Sequence, residues 1–181
     1  MKIFEIPTVI FKQEIKEHSL IKEELLKYFD AMPNDNINNV DIISKTDWST
    51  SKNLEKDYIN YFIPKITPYI NNVSKELEAK NCKIIDMWYQ QYHKNDNHNW
   101  HCHGGVNWAN IYYIELPENS LKTQFYDIKN KKIFENLDVK EGDFITFPAN
   151  TIHRSPKNKT NSRKTIISFN CDYDVRLSTE H

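Results

Sequence analysis

The chain has 181 residues, a formal net charge of −1 and 13% aromatic residues. Disordered chains are poor in aromatics, so this composition describes a folded protein, and the length suits one domain with a sizeable core. The near-balance of charge gives counterion release little to act on and disfavours nucleic acid as a partner. Three cysteines (Cys82, Cys102, Cys171) without paired spacing argue against a disulfide framework and for a reducing compartment.

Residues 1–13 lack the basic and then apolar order of a signal peptide, and no apolar run nears the roughly 20 residues that span a bilayer. The expectation is a soluble, cytoplasmic protein. Residues 2–15, rich in Ile, Phe, Val and Thr, read as one or two strands interrupted at Pro7. Leu20, Ile21, Leu25, Leu26 and Phe29 recur at helical spacing and predict an amphipathic helix over 19–31. Residues 32–39 and 47–53 read as loops. A second stripe (Leu54, Tyr58, Phe62, Ile66, Val73, Leu77) predicts helix over 54–80, kinked or split at Pro64 and Pro68, which remove backbone donors.

Beyond Asn81 the pattern changes to short apolar or alternating segments at 83–93, 108–115, 123–127, 132–134, 143–147 and 163–173. Short strands separated by polar turns predict a sandwich or barrel. The chain therefore divides into a helical support region (1–80) and a β region (81–175), and no flexible linker separates them. A single domain over 1–181 follows, mainly β with N-terminal helices packed on the sheet.

The chemistry lies in the β region. His101 and His103 stand two apart, a spacing that turns both side chains to one face of a strand. His153 follows a turn, a strand and Pro148, and completes a candidate metal triad. Three ligands on one side of an ion leave positions open for co-substrate and oxygen. Cys102 between them points away and reads as a small buried filler, and His93, His98 and His181 read as surface or structural histidines, a hydrogen bond to a ligand being the alternative for His98. Arg163 and Thr165 share a strand face, and a guanidinium beside a hydroxyl suits a carboxylate. A metal site with a distal carboxylate anchor fits 2-oxoglutarate, its keto-acid end on iron(II) and its far end on Arg163. Tyr112 and Asn110 are further candidates for touching that co-substrate.

Taken together, His101-Cys-His103, the Tyr112-Tyr113 strand, residues 141–148, His153 and residues 163–170 resemble the 2-oxoglutarate/Fe(II)-dependent oxygenase superfamily. Within it the chain is similar to the group common in phages and marine bacteria that carries a His-x-His motif. The resemblance spans a little under half the chain. It implies a double-stranded β-helix (jelly-roll) core flanked by α-helices. It also implies iron(II), 2-oxoglutarate and dioxygen as cofactor and co-substrates, with release of succinate and carbon dioxide. Most of the superfamily has an acidic residue where this chain has His103. Two alternatives stand beside the hydroxylase reading: a three-His dioxygenase of cupin type that needs no 2-oxoglutarate, and a non-catalytic metal-binding jelly roll. The substrate, a small molecule or a protein, is not legible, and the family's layout implies that loop 117–121 shapes its entrance. The two helices leave a dimer open.

Overall fold

The computed structural model describes residues 8–33, 37–38, 41–117 and 121–175. In chain order the elements are β1 (Phe11–Glu14), α1 (His18–Ala31), β2 (Ile37–Asn38), β3 (Ile42–Ile43), β4 (Lys45–Thr46), a 3₁₀ turn at Trp48–Thr50, α2 (Asp57–Glu76) and β5 (Ala79–Tyr92). There follow β6 (His98–His101), β7 (Trp108–Glu115), β8 (Gln124–Asp127), β9 (Lys132–Phe134), β10 (Asp143–Pro148), β11 (His153–Ser155) and β12 (Lys164–Val175). Part of the strand expected over 2–15, part of the loop expected over 32–39 and most of loop 117–121 lie outside the described residues.

From β5 onward the chain passes back and forth between two antiparallel sheets. The larger has the order β1-β10-β7-β12-β5-β4 and the smaller β6-β11-β8-β9. This is the strand wrapping of a jelly roll. The N-terminal region is not purely supportive: β1 pairs with β10 and β4 with β5, so it supplies both edges of the larger sheet.

Both faces of that sheet are covered. Along β12, Ile167, Phe169, Cys171 and Tyr173 face the helices, whereas Ile166 packs with Ile111, Phe125 and Phe147 between the sheets. The helices earn their places by spacing: α1 buries Ile21, Leu25 and Phe29, and α2 buries Tyr58, Phe62, Ile66, Ile70 and Val73. Phe29 stacks on Tyr89 with ring centroids 4.2 Å apart, and Phe62 stacks on Tyr112 at 5.3 Å. Pro64 and Pro68 do not divide α2, which runs as one element through both. They stand four apart on its exposed side, where water can take up the carbonyls their missing N–H groups leave free.

A buried carboxylate ties the N-terminal region to the sheet. Asp47 accepts from Lys56 Nζ at 2.5 Å, Tyr58 OH at 2.9 Å and the Tyr89 N–H at 2.9 Å. Among the described residues no helix is long and apolar enough to cross a membrane.

The turn before β10 depends on Gly142, which has φ +90°, and a Cβ there would lie 3.0 Å from His18 Cγ. Gly142→Ala should therefore cost about 1–3 kcal/mol through a left-handed backbone and a crowded ring. Chemical denaturation measures this, and a loss within experimental error would show that His18 gives way freely.

Candidate metal centre

Pairing of β11 with β6 sets His153 opposite His101. His103 lies two residues past the end of β6, anchored where its N–H donates to the Ala149 carbonyl at 2.8 Å. The expectation that His101 and His103 share a strand is thus corrected, yet the two rings converge. Centroids are 5.3 Å apart for His101–His103, 4.2 Å for His101–His153 and 5.1 Å for His103–His153. One potential ligand atom from each lies within 4.8 Å of those of the other two.

The hydrogen bonds fix which nitrogen is free. Nδ1 of His101 meets the Asn99 carbonyl at 2.7 Å, Nδ1 of His153 the Thr151 carbonyl at 2.9 Å, and Nδ1 of His103 meets Asn170 Oδ1 at 2.5 Å. The amide oxygen is the end of Asn170 that faces His103, and an amide oxygen only accepts. Every Nδ1 therefore donates, and all three Nε2 lone pairs remain available to a metal. Burial lowers the pKa of all three rings, which keeps them in the neutral, ligating form. His98 is a structural neighbour of the triad and not one of its members. It stacks flat on His101 at 3.8 Å, and burial pushes its pKa down to about 4.

The residue that sequence reasoning missed is Lys164. It is 1% exposed and lines the same cavity as the three histidines. Its Nζ donates to Ser155 Oγ at 2.9 Å and lies 5.2 Å from the Tyr92 ring centroid. Among the described residues no carboxylate neutralises it, and burial pushes its pKa from 10.5 down to about 7. The unfolded chain then holds a proton that the folded one has released between about pH 7 and about pH 10.5. Stability of the metal-free protein should therefore rise with pH across that window, more steeply than in Lys164→Met. Thermal unfolding midpoints at several pH values test this, and equal slopes for the two proteins would refute it.

Arg163 and Thr165 stand elsewhere, which corrects their expected role. Neither lines the cavity, and both are engaged by Glu115. Arg163 donates Nε and Nη2 to its carboxylate at 2.7 and 2.9 Å, and the Thr165 hydroxyl donates to the same group. Tyr112 likewise faces the helices, its OH paired with His18 Nδ1 at 2.7 Å. Asn110 borders the cavity, but its side chain is occupied: Oδ1 accepts from the Thr146 hydroxyl and Nδ2 donates to the Phe169 carbonyl. Cys102 is exposed rather than buried.

No protein-family model and no curated protein sequence matches the chain. Solved structures do match in fold. One is a collagen prolyl hydroxylase of Paramecium Bursaria Chlorella virus-1 in complex with 2-oxoglutarate, at 15% identity and TM-score 0.61, covering 92% of this chain and 96% of that one. A Pseudomonas putida prolyl-4-hydroxylase is 7% identical with TM-score 0.63, over 93% of each chain. HygX from Streptomyces hygroscopicus, with nickel and 2-oxoglutarate bound, is 9% identical with TM-score 0.68, over 91% of this chain and 83% of that one. At such identities the likeness establishes the fold.

Proposed function

We propose that the protein is a non-haem iron(II)- and 2-oxoglutarate-dependent dioxygenase that hydroxylates a C–H bond of its substrate. One observation carries this reading: three histidine rings, each with its Nε2 free of protein partners, converge in a cavity that also holds a buried lysine with no anionic partner among the described residues. Neutral imidazole nitrogens suit iron(II), and the lysine suits a dicarboxylate whose other end chelates the ion. The similar solved structures that carry 2-oxoglutarate, one of them with nickel, support the same reading.

Bound iron(II) with 2-oxoglutarate and dioxygen would supply oxidative decarboxylation to succinate and carbon dioxide, coupled to oxidation of the substrate. His101, His103 and His153 would hold the ion, each ring oriented through Nδ1 by a fixed oxygen. Lys164, held by Ser155, would orient the distal carboxylate and be returned to its charged state by it. Phe125 and Phe147, packed at 6.1 and 4.8 Å from the His153 ring centroid, exclude water from that side of the site.

The test is anaerobic titration of the iron(II)-loaded protein with 2-oxoglutarate, followed by visible absorption. A saturable charge-transfer band is expected. Iron bound at one per chain without a band would instead favour a three-His dioxygenase independent of 2-oxoglutarate, a reading that leaves Lys164 without a role.

A further inference from the structure

A second, wider cavity of about 360 Å³ shares His98, His101 and His103 with the first. Its wall contains Trp48, Trp88, Asp41 and Asp86 together with His101 and His103. The charged groups on it, histidines aside, are thus two carboxylates. Lys52, the cation that acts on Asp86, lies exposed on the surface.

Two polar atoms here have no hydrogen-bond partner. Trp88 is 4% exposed, and its Nε1 is buried and unpaired. The Oδ1 of Asp86 is buried and unpaired as well. A buried carboxylate oxygen without a donor is costly, and burial accordingly raises the Asp86 pKa. The oxygen asks for a donor, best a charged one, and the indole N–H asks for an acceptor. Trp48, 55% exposed, leaves an aromatic face at the mouth, and the Trp88 ring lies 6.1 Å from the His103 ring. Carboxylates with flanking indoles suit a cation through ion pairing and cation–π attraction.

We propose that this cavity binds an ammonium or guanidinium group of the substrate, with Asp86 as counter-charge, Asp41 in support, and Trp48 and Trp88 as walls. The Trp88 N–H then meets an oxygen elsewhere on the same molecule. Contact of the cavity with His101 and His103 places a carbon near that cation beside the metal site. Only the word substrate rests on the oxygenase reading; recognition of the cation does not.

Calorimetric titration of the full chain, with and without iron(II), tests this. The probes are Nα-acetyl-lysine methylamide and Nα-acetyl-arginine methylamide, against neutral Nα,Nε-diacetyl-lysine methylamide. A preference of about tenfold or more for at least one cationic probe is expected, falling to about threefold or less in Asp86→Asn. Equal affinity for charged and neutral probes, or no binding of any probe at millimolar concentration, overturns the proposal. So does an undiminished preference in Asp86→Asn, which would confine Asp86 to steadying Asn170 and His103. The preference of the unaltered protein stands whether or not that variant folds. Cation preference without a 2-oxoglutarate band would overturn the oxygenase reading and leave this one intact, and the reverse result would do the opposite.

Discussion

Lys164→Met is expected to weaken 2-oxoglutarate binding by on the order of a hundredfold or more while iron still binds at one per chain. Removing one partner of a buried, hydrogen-bonded charge pair costs roughly 2–5 kcal/mol, and 1.4 kcal/mol is tenfold in affinity. Lys164 is fully enclosed, so water cannot take its place at the co-substrate carboxylate. The same substitution should raise the thermal stability of the metal-free protein, because it replaces a buried amine that must give up its proton or bury its charge without an anionic partner among the described residues. Arg163→Ala is the contrasting variant: it breaks the pair with Glu115 and should lower stability while leaving 2-oxoglutarate affinity within about threefold. If Arg163→Ala abolished the charge-transfer band and Lys164→Met spared it, the assignment of the cavity lysine would be wrong.

The second large effect is expected at the metal. His153→Ala should weaken iron(II) binding by on the order of a thousandfold, since each ligand supplies a sizeable share of a site's total affinity. His153 is 4% exposed and paired across the strands with His101, so water has little access to replace it. Competition against a chelator of known affinity measures the loss. His98→Ala, which removes a stacked but non-ligating ring, should stay within about tenfold of the parent. Comparable losses in the two variants would mean that the ion sits between His98 and His101 instead.

The sequence exposed the β architecture well where strands are bounded by turns. The predicted limits 108–115 and 132–134 coincide with β7 and β9, and the helix at 19–31 differs from α1 by one residue. The metal triad was legible because histidines are few and their order along the chain is informative. The proposed carboxylate anchor was not, for a physical reason. In β12 both faces are buried, so polarity does not alternate and the inward residues cannot be told from the outward ones. Chemistry alone favours the guanidinium of Arg163, whereas parity with Ser168 and Asn170, which line the cavities, selects Lys164. Tyr112 was misplaced for the same reason. In α2 the prolines suggested a division because their exposure was hidden: on a solvated face the lost bonds go to water and the helix continues.

The position of β12 bears on how the molecule comes together. It lies furthest along the chain among the described strands, yet it pairs with β5 on one side and β7 on the other in the middle of the larger sheet. Until it inserts, β5 and β7 present open edges to each other, and the helices pack on a sheet with a missing centre. Such long-range closure makes folding slow and late to commit. Because β12 also carries Lys164 and Asn170, the proposed co-substrate anchor and the acceptor that orients His103 arrive in the same event. Partly folded chains would therefore hold β6 and β11 with their histidines before they hold a working site, and iron encountered at that stage would meet its ligands without the groups that steady them.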